Sequence, residues 1–252
     1  MDKNKSLRKI ANTLYITTQK VQSTGLLSGK TGIALFLYNY AKISNNPLYS
    51  DFADALLDKI CDGLSKNIPP FFAEGISGIG WGLNYLMKEK YVEAEDNDVL
   101  DEIDDAMRKM DGSKFFDDLN EKIPLFTKGL YFAARELKED MLSTFNELDN
   151  FLQLDSLNEL PNDYLYSVNY FLTKTDKMNI EPEKSRYLIS KLPVYETIHP
   201  YWENLLYGIK KQNLTEKEMK IISEQIDKII NDIHYYALGL DNGLAGLGMS
   251  LL

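Results

Sequence analysis

The 252-residue chain suits one large domain or two small ones, and its 44% apolar and 26% charged residues describe an ordinary globular protein with a substantial core. Leucine (36) and isoleucine (20) dominate the apolar set, whereas 5 valines weigh against buried strands. Twenty-eight Lys and Arg against 38 Asp and Glu give a formal net charge of −10, a field that repels a phosphate backbone and excludes nucleic-acid binding as the working function. The single cysteine, Cys61, excludes an internal disulfide framework and any multi-cysteine zinc site. No apolar run reaches the roughly 18 residues of a membrane span. The segment MDKNKSLRKIANTLYITTQK lacks the apolar stretch and cleavage site of a signal peptide. A cytoplasmic protein with no membrane span is the expectation.

Twelve of the 15 glycines fall in the windows 25–32, 75–82, 129 and 239–248. Gly29-Lys-Thr-Gly32-Ile33-Ala34-Leu-Phe-Leu37 opens an apolar and aromatic segment running to Lys42, predicted as a helix buried all round. Asn46-Pro47 then supplies a cap and a first-turn proline for a helix with Phe52, Leu56, Ile60 and Leu64 on one face. Gly75-Ile-Ser-Gly78-Ile79-Gly80-Trp-Gly-Leu83 repeats the first window and opens a second buried helix, ending at Lys88. Val99, Leu100, Ile103, Met107 and Met110 form the apolar stripe of an amphipathic helix, opposite Asp98, Asp101, Glu102, Asp104 and Asp105. Such an acidic row can hold magnesium in other helical proteins, but as the complement of an apolar stripe it reads as a solvated face. Gly129-Leu-Tyr-Phe132-Ala133-Ala134-Arg-Glu-Leu137 reads as a degraded copy of the window. Segments 163–174 and 201–211 are aromatic-rich and predicted as inner helices, with Pro182 opening the helix between them. Thr215 and Glu218 form a capping box before the stripe Met219, Ile222, Ile226, Ile229, Ile230 and Ile233, and His234 ends that helix. Gly243-Leu-Ala-Gly246-Leu247-Gly248-Met-Ser-Leu251 closes the series.

The shared pattern is G-x-x-G-[IL]-[AG]-x-x-L, with its first glycine at 29, 75 and 243 and a fourth, degraded copy at 129. Self-similarity at that period predicts stacked helical hairpins, about six of them, with amphipathic outer helices alternating with buried inner ones. Gly29, Gly75 and Gly243 would turn the chain into the inner helices, and Gly32, Gly78 and Gly246 would let those helices converge closely. Ser28-Gly29-Lys30-Thr31 is superficially a phosphate loop. However, Gly25 and Gly29 enclose three residues instead of four, and the other copies carry Ile-Ser and Leu-Ala at that place.

The windows Gly25-LLSGKTGIALFL, Glu74-GISGIGWGLNYL and Gly239-LDNGLAGLGMSLL resemble those of the lanthionine synthetase C-like family. The resemblance implies an all-α fold, an α/α toroid, across one domain spanning residues 1–252, where the family has seven hairpins. It also implies action on peptides: the family's cyclases add cysteine thiols to dehydrated Ser or Thr residues of a precursor peptide, on a zinc held by two Cys and one His. The first of those cysteines belongs to the fourth inner turn, which here reads Asn162-Asp-Tyr-Leu-Tyr-Ser; the fifth, which should hold Cys-His-Gly, reads Ile198-His199-Pro200. Cys61 falls on a predicted outer helix. The expectation is therefore a member without zinc or another cofactor, a degenerate enzyme or scaffold whose partner is a precursor or leader peptide, or a peptide-modifying enzyme.

If the inner turns share one rim, Ser28, Lys30, Glu74, Ser77, Asp241 and Asn242 face its mouth as ligand-binding residues. Exposed helix N-termini there would favour anionic or carbonyl groups. Glu74 and Asp241 are candidate catalytic carboxylates, with His199 as a candidate acid–base or remnant metal ligand. Two readings from other classes stay open: a carbohydrate-active α/α enzyme using Glu74 and Asp241 as acid and base, and an interaction module whose acidic rim takes a basic partner.

Overall fold

The structure, a computed structural model, describes residues 2–64, 68–93, 98–110, 119–158, 160, 162–192, 213–234 and 237–252. Every regular element among them is helical and none is a strand, so the all-α class is met. Their order is α1 (Lys3–Thr17), α2 (Lys30–Ser44), α3 (Pro47–Asp62), α4 (Ile76–Lys88), α5 (Asp98–Arg108), α6 (Leu119–Arg135), α7 (Lys138–Leu148), α8 (Leu154–Asn158), α9 (Asn162–Lys177), α10 (Pro182–Ile189), α11 (Glu216–Asn231) and α12 (Leu244–Leu251). The predicted helix at 201–211 and His199 lie outside the described residues. The chain packs as two compact units, Met1–Glu95 with Thr197–Leu252, and Asp96–Glu196.

In the first unit, α2 packs against α1, α3, α4 and α12, and α12 also packs against α1 and α11. The last copy of the glycine window thus sits beside the first. Helix α2 is the hub because its sequence has no polar face: Ile33, Ala34, Leu35, Phe36 and Leu37 are each fully buried. Burying each large side chain of such a run contributes about 1.5–3 kcal/mol. Outer helix α3 buries Tyr49, Ala53, Leu56, Leu57 and Ile60; of the predicted stripe Leu56 and Ile60 are covered, while Phe52 is only half-buried and Leu64 lies past the helix end. Its start is also as expected, with Asn46 accepting from the Leu48 N–H at 3.1 Å and Pro47 in the first turn. At α11 the capping box forms, with the Glu218 N–H donating to Thr215 Oγ1 (3.3 Å) and the Thr215 N–H to Glu218 Oε2 (2.7 Å). Only Ile222 and Ile226 of the α11 stripe are fully covered.

In the second unit, α6 packs against α7 and α9, and α9 against α10. Two features depart from the sequence reading. Gly129 is not the start of an inner helix; it lies in the interior of α6, which begins at Leu119. It is glycine because a Cβ there would stand 2.8 Å from the Phe171 ring of α9. The apparent fourth window is therefore a helix–helix contact and not a turn. The acidic row of α5 is likewise not uniformly solvated. Asp104 is buried, accepting from Tyr131 Oη (2.6 Å), Arg135 Nε (3.1 Å) and Arg135 Nη2 (2.8 Å), whereas Asp101, Glu102 and Asp105 face solvent. On the α7 side of α6, buried Lys128 donates to both carboxylate oxygens of Glu147, at 2.8 and 3.1 Å.

The hairpins are more regular at their far ends than at their glycines. Helices α2, α4, α6 and α9 each end near a left-handed residue: Asn45 (φ 49°), Lys90 (59°), Glu136 (60°) and Asn179 (56°). In each case the next N–H bonds five residues back, from Asn46 to Ala41, Tyr91 to Leu86, Leu137 to Phe132 and Ile180 to Thr175. This is the Schellman ending, which satisfies orphan carbonyls through the backbone and so demands no particular side chain.

Candidate functional site

Three glycine loops, all in the first unit, are built alike. Gly29, Gly75 and Gly243 are the N-caps of α2, α4 and α12, with φ of −111°, −114° and −117° and extended ψ. Any residue can adopt that backbone, so the requirement is space. A Cβ at Gly29 or Gly75 would run into the backbone of Gly25 or Phe71, because the loop folds back over its own helix start. The Lys30 N–H donates to the Ser23 carbonyl (3.0 Å), the Ile76 N–H to Pro69 (2.9 Å), and the Ala245 N–H to Leu238 (3.1 Å). The same fold-back engages the hydroxyls of Thr31, to the Thr24 carbonyl at 2.6 Å, and of Ser77, to that of Pro70 at 2.7 Å.

These bonds revise two expectations. Ser77 is fully buried beneath its own loop, so it does not line a rim. The N–H groups of Lys30, Thr31, Ile76, Ala245 and Gly246 are taken by loop carbonyls, so these helix starts offer fewer open donors to an anionic ligand than expected. The second glycine is also explained differently. What a Cβ at Gly32 or Gly78 would strike is the loop carbonyl of Leu26 or Phe72, together with a side chain from the neighbouring loop, Leu240 at 2.7 Å from Gly32 and Leu26 at 3.0 Å from Gly78. Close helix–helix approach occurs instead at Gly82, against Thr31, and at Gly248, against the Phe36 ring.

The loops are cross-linked in the order third, first, second. The Leu27 carbonyl accepts from the N–H groups of Leu240 (2.6 Å) and Asp241 (2.9 Å), and the Leu27 N–H donates to Ala73 (2.9 Å). Glu74 completes the join. Its Oε2 accepts from Ser23 Oγ (2.5 Å), and its Oε1 from the Ser28 N–H (3.2 Å) and the Ser28 hydroxyl. Ser28, Glu74 and Asp241 are thus brought onto adjoining loops. Asn242, left-handed at φ 50°, donates to Asp241 Oδ1 (2.9 Å). Partial desolvation raises the Asp241 carboxyl above its ordinary pKa. Lys30 stands beside the cluster with Nζ 3.3 Å from the Gln22 carbonyl; burial, and secondarily the charge of Lys59, lower its pKa. Asn242 and Leu240 also line a cleft of about 750 Å³ between α11 and α12, walled by Ile221, Ile222, Ile229 and Leu247.

Sequence reasoning missed Ser23, five residues upstream of Ser28, because it lies outside the glycine pattern. It also missed Phe71, which takes the place filled by Gly25 and Gly239 in the other copies and is 44% exposed. Gly25 and Gly239 have no room for a side chain, since each presses on the adjoining loop, at Glu74 and at Ser28 respectively.

A family model described as Lanthionine synthetase C-like protein matches residues 20–252. The chain belongs to the lanthionine synthetase C-like family. No curated protein and no solved structure matches it. The zinc of the family's cyclases calls for two thiolates and an imidazole, and this member does not offer that set. Its one thiol, Cys61, lies on α3, half-buried, and burial together with Asp58 and Asp62 pushes its pKa up, away from the thiolate that a metal needs. Among the described residues, no group of three or more His, Cys, Asp or Glu side chains is placed to hold a metal. No helix among them is long and apolar enough to cross a membrane.

Proposed function

We propose that this family member binds a precursor or leader peptide, or the enzyme that modifies it, and serves peptide maturation in the cytoplasm without zinc-dependent cyclase chemistry. The observation that carries this reading is the donor set. A cyclase zinc activates a thiol by holding it as thiolate, which needs soft ligands closing most of a tetrahedron. A chain with one cysteine, on an outer helix and with a raised thiol pKa, cannot supply them. The loops that organise the family fold are nevertheless retained and cross-linked, so the scaffold outlasts the metal chemistry. The match over residues 20–252 supports one repeat domain across 1–252, built in two compact units.

The test has two arms. Elemental analysis of protein purified without chelators should find zinc far below one per chain. In the second arm, a peptide carrying dehydroalanine and a free cysteine is incubated with the protein and zinc. Its thiol should stay open to alkylation at the rate of a protein-free blank, while the peptide is retained on immobilised protein. Stoichiometric zinc, or thiol loss faster than the blank, overturns the metal-free reading; failure to retain any peptide overturns the peptide role. The carbohydrate-active alternative has only the raised Asp241 carboxyl in its favour, because both oxygens of Glu74 are already engaged by loop donors.

A further inference from the structure

The Glu74 side chain is solvent-exposed, yet it is met by three donors from another loop: the Ser23 hydroxyl, the Ser28 N–H and the Ser28 hydroxyl. That loop is shaped to receive it. The Gly25 N–H donates to Ser23 Oγ at 3.1 Å, holding the hydroxyl in place. Gly25 itself is bare where a Cβ would stand 2.5 Å from Glu74 Cα, 2.8 Å from its Oε2 and 2.9 Å from the Ala73 carbonyl, so the two loops meet closely at this point. Three converging donors, one of them a backbone N–H, make a receptor for a carboxylate, and charge-assisted bonds of this kind are roughly twice as strong as neutral ones.

We propose that Ser23, Gly25 and Ser28 form a binding site for a ligand carboxylate, an acidic side chain or a chain terminus, and that Glu74 holds this site shut in the free protein. The incoming carboxylate takes the same three donors, and Glu74 swings outward into solvent, which its exposure permits without repacking. Release of Glu74 also unties the first loop from the second at that bond, while the Leu27 N–H to Ala73 bond keeps the two loops paired. Occupancy by an internal competitor weakens apparent affinity by the fraction of time the site stands open. The inference stands apart from the peptide-maturation reading, since it concerns a receptor for one chemical group, and its test uses no peptide.

The experiment compares wild type, Glu74→Ala and Glu74→Ala/Ser28→Ala, titrated with sodium acetate and, separately, sodium phosphate at constant ionic strength. The Ser28 amide resonance and the melting temperature are followed together. In Glu74→Ala, acetate should shift the Ser28 amide with an apparent Kd about tenfold or more below that of wild type and restore part of the lost melting temperature. The double variant should show neither effect. Should Glu74→Ala fail to fold, Glu74→Gln keeps an oxygen for the Ser28 donors and frees that of Ser23, and acetate should then bind it more tightly than wild type. Phosphate binding without acetate binding overturns the carboxylate assignment. Equal acetate affinity in variant and wild type, or no binding of either ion, overturns the site.

Discussion

Replacing Asp104 by alanine tests the buried ion pair between α5 and α6. The Asp104 side chain is 4% exposed and that of Arg135 16%, and the carboxylate accepts two guanidinium bonds and one from Tyr131, which is fully buried. Removing one partner of such a pair leaves an uncompensated charge and costs about 3–5 kcal/mol. Arg135 keeps a slight opening to solvent and has Asp101 at 3.8 Å, a partner itself 68% exposed, so the lower end, about 3 kcal/mol, is expected. Replacing Arg135 by methionine as well removes the stranded charge while keeping the aliphatic bulk. The double variant should therefore be more stable than Asp104→Ala alone, with a coupling energy of about 1–3 kcal/mol. Urea denaturation followed by far-UV circular dichroism supplies the four stabilities of the cycle. Asp105→Ala, at a carboxylate 61% exposed, is the control and should stay within about 0.5 kcal/mol. A cost at Asp104 below about 1 kcal/mol, or a coupling near zero, would refute the argument that this acid is structural and return α5 to a simple solvated face.

Gly32→Ala should destabilise by about 1–3 kcal/mol in the same denaturation assay, because the new methyl meets both the Leu26 carbonyl and the Leu240 side chain. Lys90→Gly should stabilise by about 0.5–1 kcal/mol, since it removes a Cβ from a left-handed residue; an unchanged denaturation midpoint would contradict it. Asp241→Asn should alter the pH dependence in one direction. Desolvation raises the folded-state pKa above the ordinary 3.8, so the ionised carboxyl weakens the fold as pH rises through that raised value. Melting temperatures of variant and wild type should coincide below pH 3.8 and separate at neutral pH, with the variant higher.

The glycine loops were legible because their requirement is local. Gly29, Gly75 and Gly243 must each leave room for the residue four before it, and Gly32 and Gly78 for the one six before it, so the requirement is set within the loop itself. The same reasoning misplaced Gly129, where a glycine serves a contact with Phe171, 42 positions away, that no local pattern encodes. The true repeat was hidden for the opposite reason. Asn45, Lys90, Glu136 and Asn179 share a backbone state enforced by hydrogen bonds, and those bonds place little demand on residue type. Asp104 was misread because periodicity assigns a face to a residue but cannot foresee an arginine on another helix turned toward that face. The rim was half legible: position placed Ser28, Glu74 and Asp241 together, but not the donors already spent on Glu74 or the inward turn of Ser77.

The Leu27 carbonyl takes both of its hydrogen bonds from Leu240 and Asp241, more than two hundred residues later in the chain. Synthesis proceeds from the N-terminus, so the first glycine loop leaves the ribosome long before its partners exist. The unit formed by Asp96–Glu196 is contiguous and has all its own core residues in hand while the other unit still lacks α11 and α12. Contacts closed over such a separation are the slowest to form. The Asp96–Glu196 unit therefore has the opportunity to fold first, and α2, with its buried run from Ile33 to Leu37, waits with one flank open until Leu240 and α12 arrive. During that interval the flank that will meet Leu240 and α12 is the part of the nascent chain most in need of protection from aggregation.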